Sequence, residues 1–98
     1  MTISMDTIKV EGKHESNHVL LFTLTTCLRC KKTKDYLIEQ NIAFEYIDVD
    51  VISWEARREI VDILVSMKIP VGFPVSVIDD SKIISGYHPD ELKDALKL

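Results

Sequence analysis

The first strong pattern along the chain is an almost unbroken run of apolar residues over positions 18–24. Such a run is typical of a strand that is covered on both faces. The stretch that follows, residues 31–40, has the spacing of an amphipathic helix, with Asn41 as its stop signal. Its apolar positions include Tyr36, Leu37 and Ile38. We expect its charged side chains to face solvent, namely Lys31, Lys32, Lys34, Asp35 and Glu39.

A second strand and a second helix follow in the same order. Residues 42–49 predict a core strand, with Phe44 and Tyr46 on one face. Ser53 has the chemistry of an N-cap, and the helix it begins extends to Met67. We expect Trp54, at the start of this helix, to staple it onto the core, with an exposed docking anchor as the alternative. The helical spacing places a further set on the core face, namely Ala56, Ile60, Ile63, Leu64 and Met67.

The last third of the chain predicts a hairpin and a short helix. Two strands, 75–78 and 82–85, flank the polar turn 79–81 and should pair antiparallel. Pro89 suits the first position of a helix, whose apolar face comprises Leu92, Ala95 and Leu96. The pattern therefore predicts an α/β domain, a mixed four-stranded sheet flanked by three helices.

We divide the chain into an N-terminal extension, residues 1–17, and one domain over residues 18–98. Within the extension, Thr7 to Glu11 alternate apolar and polar positions. That alternation fits either an extra edge strand or a flexible leader.

Composition narrows the function. With 98 residues, a net charge of −4 and no basic stripe, the chain suits one domain that does not bind nucleic acid. No apolar run is long enough to span a membrane, and the first residues lack a signal-peptide pattern. We therefore expect a monomer in the reducing cytoplasm, where a pair of cysteines is more often catalytic than structural.

The chain has two cysteines, Cys27 and Cys30, and they lie at the junction of the first core strand and its helix. A thiolate at a helix start is stabilised by unpaired N–H groups and by the helix dipole. Arg29, Lys31 and Lys32 add positive charge nearby. Cys27 is therefore the candidate nucleophile. Cys30 follows on the same helix face and is the candidate resolving thiol.

Other uses of the pair stay open. The cysteines could form half of a zinc site, with His14 and His18 as further ligands. They could hold an iron–sulfur cluster between two chains, or belong to a redox-silent interaction domain. A structural disulfide closing so short a loop would remove little chain entropy.

The order of elements, together with Cys27 and Cys30 around Leu28 and Arg29, resembles the glutaredoxin branch of the thioredoxin-like fold from Val19 onward. This resemblance implies a dithiol–disulfide oxidoreductase. It also implies a cis-proline facing the cysteines, for which Pro74 is the first candidate and Pro70 the second. The residue before that proline, Phe73, would pair with the substrate through its backbone. The candidate substrate-binding residues are Arg29, Lys31, Phe73, Pro74, Gly86 and Tyr87.

Residues 85–90, Ser-Gly-Tyr-His-Pro-Asp, resemble the corresponding loop of NrdH-type redoxins. That likeness implies electrons from a flavoenzyme of the thioredoxin-reductase type, with glutathione as the other candidate donor. Leu24 stands where glutathione-dependent relatives carry a lysine, so we expect inefficient use of glutathione. The implied client is a disulfide-containing protein, of which ribonucleotide reductase is one example. No bound cofactor or metal is expected.

Overall fold

The structure is a computed structural model that describes residues 6–68 and 72–97. It confirms the predicted order of elements and adds the N-terminal strand. The elements are β1 (Ile8–Val10), β2 (Val19–Thr23), α1 (Leu28–Glu39), β3 (Phe44–Asp48), α2 (Trp54–Ser66), β4 (Val75–Ile78), β5 (Lys82–Ser85) and α3 (Pro89–Leu96). None of the helices in these described ranges has the length and apolar character needed to cross a membrane.

The strands form one mixed sheet in the order β1-β3-β2-β4-β5. The central strands β2 and β3 run parallel, as a right-handed crossover through α1 requires, and Leu21 lies opposite Tyr46. β2 pairs antiparallel with β4, and β4 pairs antiparallel with β5. The strand order therefore places the end of β2, and the helix that follows it, between β3 and β4.

Helices cover both faces of the sheet, and as a result all five residues of β2 are buried. On one face, Leu37 of α1 and Leu92 of α3 pack against Val19 and Leu21. On the other face, α2 contributes its buried side chains, Ile60 and Leu64. This burial confirms the prediction, made from the apolar run, of a strand covered on both faces.

β1 lies at the edge of the sheet, antiparallel to β3. The chain leaves β1 through Gly12, whose position lies against the backbone of the segment that enters β3. A Cβ atom at residue 12 would come within 2.6 Å of the backbone nitrogen of Ala43. Close by, the His14 N–H donates to the Asn41 carbonyl at 2.9 Å, so this crossing is tied by backbone hydrogen bonds.

Two expectations for α2 are wrong. Trp54 is 64% exposed, and the Arg58 guanidinium lies over its ring, 5.5 Å from the centroid. Trp54 lies six positions before Ile60, so the Trp54 side chain points about 120° away from the buried stripe of α2. Met67 is 39% exposed because it is the C-cap, beyond the last helical turn that contacts the sheet.

Candidate active site

Cys27 is the N-cap of α1, as its position after the core strand predicted. Its backbone is extended, with φ −91° and ψ 116°, and its sulfur accepts a hydrogen bond from the Cys30 backbone N–H at 3.3 Å. The Lys31 N–H donates to the Cys27 carbonyl at 3.1 Å. A sulfur in this position satisfies a donor that the first helical turn otherwise leaves unpaired.

Cys30 lies one helical turn inward and is 1% exposed. Both cysteines are free thiols in this structure. The pKa of Cys30 is raised to about 12, first by burial and then by its hydrogen bond with the Cys27 side chain. A backbone hydrogen bond from Leu24 and the charge of Lys34 act in the opposite direction. Cys30 is therefore a protonated, shielded thiol, in contrast to the partly exposed Cys27.

One wall of the site is the segment that precedes β4. The peptide bond between Phe73 and Pro74 is cis, as the resemblance implied. The Phe73 carbonyl oxygen lies 4.0 Å from the Cys27 sulfur. The Pro74 carbonyl accepts from the Gly86 N–H at 2.7 Å, so the loop after β5 is tied to the same segment. The alternative candidate, Pro70, lies outside the described residues.

The other proposed substrate-binding residues do not all lie beside Cys27. Gly86 has φ +92°, a left-handed conformation that suits glycine. Tyr87 lines a separate hollow of about 320 Å³ on the outer side of α1, together with Lys32 and Tyr36. Arg29 is exposed on the first turn of α1. The structure therefore groups Phe73 and Pro74 with Cys27, whereas Tyr87 faces another part of the helix.

A pocket of about 270 Å³ opens on the other side of Cys27, between α1 and the β1–β3 edge. Leu24, Lys31 and Lys34 contribute to its walls. The Lys31 ammonium is exposed and pairs with Asp35 at 2.9 Å. Leu24 is half-buried and packs against the core. Because its side chain is apolar, it supplies no charge beside Cys27.

Lys34 corrects a sequence-based expectation, since its side chain is only 21% exposed. Its ammonium lies 3.2 Å from the Asp48 carboxylate and 3.8 Å from the centroid of the Tyr46 ring. The Thr23 hydroxyl donates to the same carboxylate oxygen at 2.6 Å. Sequence reasoning missed this polar cluster beneath the cysteines. The available signal was the spacing of Lys34, one turn after Cys30 on the same helix face.

The loop that leads into Cys27 is anchored by Asp50. The Thr25 N–H donates to the Asp50 carboxylate at 3.1 Å, and the Thr25 hydroxyl donates at 2.6 Å. These hydrogen bonds hold the pKa of Asp50 below its usual value. Arg57 of α2 donates to the Val49 and Asp50 carbonyls at 3.0 and 3.1 Å. The approach to the active site is thus tied to the start of α2.

The two histidines considered as zinc ligands lie away from the cysteines. His18 directly precedes β2, and its Nε2 atom is 3.5 Å from a Glu45 carboxylate oxygen. Cys27 follows the opposite end of β2, and five strand residues span roughly 16 Å. His14 lies beside Ile42, before β3, at the same far end. Within residues 6–68 and 72–97, no three His, Cys, Asp or Glu side chains form a group suited to a metal ion.

Comparison with known proteins agrees with this geometry. The glutaredoxin family model matches residues 19–82. A curated relative, the Gene 56 protein of Mycobacterium phage L5, is 35% identical over 78 residues, which cover 80% of this chain and 71% of that protein.

Among solved structures, a glutaredoxin from Methanosarcina mazei Go1 superposes with a TM-score of 0.81 at 28% identity, covering 98% of this chain and 92% of that one. The NrdH-redoxin of Escherichia coli, a glutaredoxin-like protein described as having a thioredoxin-like activity profile, shares the fold. Its TM-score is 0.65 at 23% identity, over 79% of this chain and 92% of that one. The chain therefore belongs to the glutaredoxin family, with a thioredoxin-like fold.

Proposed function

We propose that this protein reduces disulfide bonds in client proteins, with Cys27 as the attacking thiol and Cys30 as the resolving thiol. The observation that carries this proposal is the asymmetry of the pair: Cys27 is a partly exposed N-cap sulfur that accepts the Cys30 N–H, and Cys30 is buried behind it. Membership of the glutaredoxin family supports a redox role for the two cysteines.

The reaction has two exchange steps. The Cys27 thiolate attacks one sulfur of the client disulfide, and the other client sulfur leaves as a thiolate that takes up a proton from water. Cys30 then loses its proton to solvent and attacks the Cys27 sulfur. The second client sulfur departs with its electron pair, and Cys27 and Cys30 are left as a disulfide. The client gains two electrons, and the protein loses two.

The wall at Phe73 and Pro74 is the proposed docking site for the client chain. The Phe73 carbonyl lies at hydrogen-bonding range from the Cys27 sulfur and belongs to a segment just before strand β4. An extended client segment would pair with the backbone of Phe73 there. We include three flanking contacts: Gly86, which is tied to Pro74, Lys31, which lines the pocket on the other side of Cys27, and Arg29, which is exposed on the first turn of α1.

The activity assay uses insulin, whose disulfides are reduced with visible precipitation. We expect Cys27→Ser to abolish reduction, because no nucleophile remains at the exposed position. Cys30→Ser should retain the first step and accumulate a mixed disulfide, which a mass shift on non-reducing analysis detects. Wild-type activity in Cys27→Ser would contradict the assignment of roles. Absence of any insulin reduction by the wild-type dithiol would contradict the proposed function itself.

For the electron donor, we propose a flavoenzyme of the thioredoxin-reductase type in preference to glutathione. Leu24 borders Cys27 and provides no cation for a glutathione carboxylate. A lost charge-assisted hydrogen bond costs roughly 1.5–3 kcal/mol, or about one to two decades of affinity. Turnover is compared in two NADPH-coupled assays, one with glutathione and glutathione reductase, the other with the flavoenzyme. Faster turnover with glutathione would reverse this assignment.

A further inference from the structure

The resolving step faces an electrostatic difficulty. Cys30 must ionise before it attacks the mixed disulfide, yet its sulfur is buried and its pKa is raised to about 12. Burial disfavours the charged form of a thiol. A fixed positive charge close to Cys30 would therefore make the resolving step faster without exposing the sulfur to solvent.

Lys34 meets this requirement by position. It follows Cys30 by four residues on α1, and side chains at that spacing are neighbours on one helix face, roughly 5–6 Å apart at Cβ. Its charge lowers the pKa of Cys30, against the effect of burial. Lys34 also lines the pocket that contains Cys27.

The Lys34 ammonium is held in place from the β3 side. The Asp48 carboxylate pairs with it at 3.2 Å, and the Thr23 hydroxyl orients that carboxylate. The Tyr46 ring lies beneath it at 3.8 Å. Both partners of the ion pair are mostly buried, with side chains 21% and 14% exposed. A charge held in such surroundings is less screened than a surface charge.

We propose that Lys34 is a positioning residue for the resolving step, since its ammonium group, fixed by Asp48 and Tyr46, stabilises the Cys30 thiolate as it attacks the Cys27 mixed disulfide. This inference rests on the proposed dithiol function. The proton of Cys30 still goes to solvent, and the client or reagent thiolate still carries away the electron pair. Lys34 changes only how readily the attacking thiolate forms.

The charged and titratable groups that face this centre can be named from each side. β3 contributes Asp48 and Tyr46. α1 contributes Cys30 and, along the pocket wall, Lys31 and Asp35. The other pocket positions, in β1 and in the loop before α1, are uncharged apart from Cys27 itself. Lys34 is therefore tested against Lys93, an exposed cation of α3 that does not line this pocket.

The test uses the reduced full-length protein and Ellman's reagent in stopped flow. Attack by Cys27 releases one coloured thionitrobenzoate in a phase that depends on reagent concentration. Attack by Cys30 on the resulting mixed disulfide releases a second one in a first-order phase that does not. The second phase reports the resolving step alone, and Cys30→Ser should lack it.

We expect Lys34→Met to slow the first-order phase by about threefold to tenfold at neutral pH. The loss of thiolate is partly offset, because a more basic thiolate is a better nucleophile. Lys34→Arg should keep the wild-type rate. Lys93→Met removes the same net charge from an exposed position on α3, outside this pocket, and should leave the phase unchanged.

A pH series separates a charge effect from a packing defect. In strongly alkaline solution lysine side chains lose their charge and arginine keeps it. The wild-type advantage over Lys34→Met should therefore narrow as the pH rises, while Lys34→Arg stays fast. Should Lys34→Met fail to fold, the divergence of Lys34→Arg from wild type at alkaline pH still tests the inference.

The two proposals fail in different ways. If wild type releases a single thionitrobenzoate with no first-order phase, the dithiol function is wrong. If wild type shows both phases and Lys34→Met resolves at the wild-type rate, only the role of Lys34 is overturned. An equal slowing in Lys93→Met would also overturn it, because the effect would then follow net charge and not position.

Discussion

The two cysteines are three residues apart and occupy opposite kinds of environment. Cys27 is a partly exposed N-cap with a backbone carbonyl, that of Phe73, beside its sulfur. Cys30 is 1% exposed and lies in the core. One helical turn is enough to carry a side chain from the surface to the interior, since α1 packs against the sheet along one face. One short motif can therefore expose the sulfur of one cysteine to solvent and shield the sulfur of the other.

The surroundings extend this contrast. Around Cys27, the neighbouring Leu28 is 67% exposed and the loop is held by polar contacts to Asp50. Around Cys30, the same helix buries Thr33 and Leu37 completely. Changes near Cys27 should therefore act on chemistry with little effect on folding, whereas changes on the inner face of α1 should act on stability.

The largest expected effect breaks the inner face. Leu37→Ala should lower the free energy of unfolding by about 2–5 kcal/mol, because it leaves a cavity against Val19 and Leu21. Leu28→Ala, on the same helix, should change it by no more than about 0.5 kcal/mol. Urea denaturation of both variants measures the difference. Equal losses would mean that Leu28 is packed and that the contrast is wrong.

The next effect uses the titration of Cys30. Its pKa is raised from 9.0 to about 12 in the folded protein. Above pH 9.0 the unfolded chain loses this proton and the folded chain keeps it. The contribution of the protonated Cys30 thiol to the free energy of unfolding should therefore be fully present below pH 9.0 and be lost as the pH rises toward 12. The slope approaches about 1.4 kcal/mol per pH unit.

Urea denaturation of the reduced protein at pH 9.0 and one unit above measures this slope. Cys30→Ala and Cys30→Ser have no group at this position that ionises in the range, so their stability relative to wild type should improve with pH. Parallel pH dependence in wild type and both variants would show that Cys30 is more solvated than the structure indicates.

The smallest expected effect concerns the loop before Cys27. Asp50→Asn should slightly lower the melting temperature at neutral pH, because the amide replaces a carboxylate that accepts two Thr25 hydrogen bonds. The pKa of Asp50 is lowered in the folded protein. Its contribution is therefore present above the ordinary value of 3.8 and is lost as the pH falls below it. The gap between variant and wild type should close in acid.

Asp79→Asn provides the matched control. Asp79 accepts from the His18 N–H at 2.8 Å and from the Asn17 amide at 2.7 Å, and its pKa is also lowered. It lies at the far end of β2 from the cysteines. Both variants should lose some stability at neutral pH, but only Asp50→Asn should change the rate at which iodoacetamide alkylates Cys27. A rate change in Asp79→Asn would show that the loop anchor is not local.

The fold was predictable because the central strands are buried on both faces, which leaves a clear apolar signal in residues 18–24 and 75–78. The site was predictable because Cys27 directly follows such a strand and precedes a helical pattern. The structure confirms the fold and the location of Cys27 at the start of α1, together with the cis bond before Pro74.

The errors and omissions have one physical cause, since a side chain's partners depend on tertiary packing. Lys34 was expected in solvent, but Asp48, fourteen residues further along, draws it into the edge of the core. Trp54 was expected on the core, but the rotation of α2 is set by Ile60 and Leu64. A local pattern indicates which residues share a face and not which partners that face meets.

Gly12 determines which strand forms one edge of the sheet. While β1 is attached, both long sides of β3 are occupied by hydrogen-bonded strands. Any side chain at residue 12 would collide with the backbone of Ile42 and Ala43 and push the β1 strand away. The outer side of β3 would then present free N–H and C=O groups, a template on which other chains add as strands. The glycine at residue 12 thus allows a three-residue strand, instead of the five-residue β3, to form this edge of the sheet.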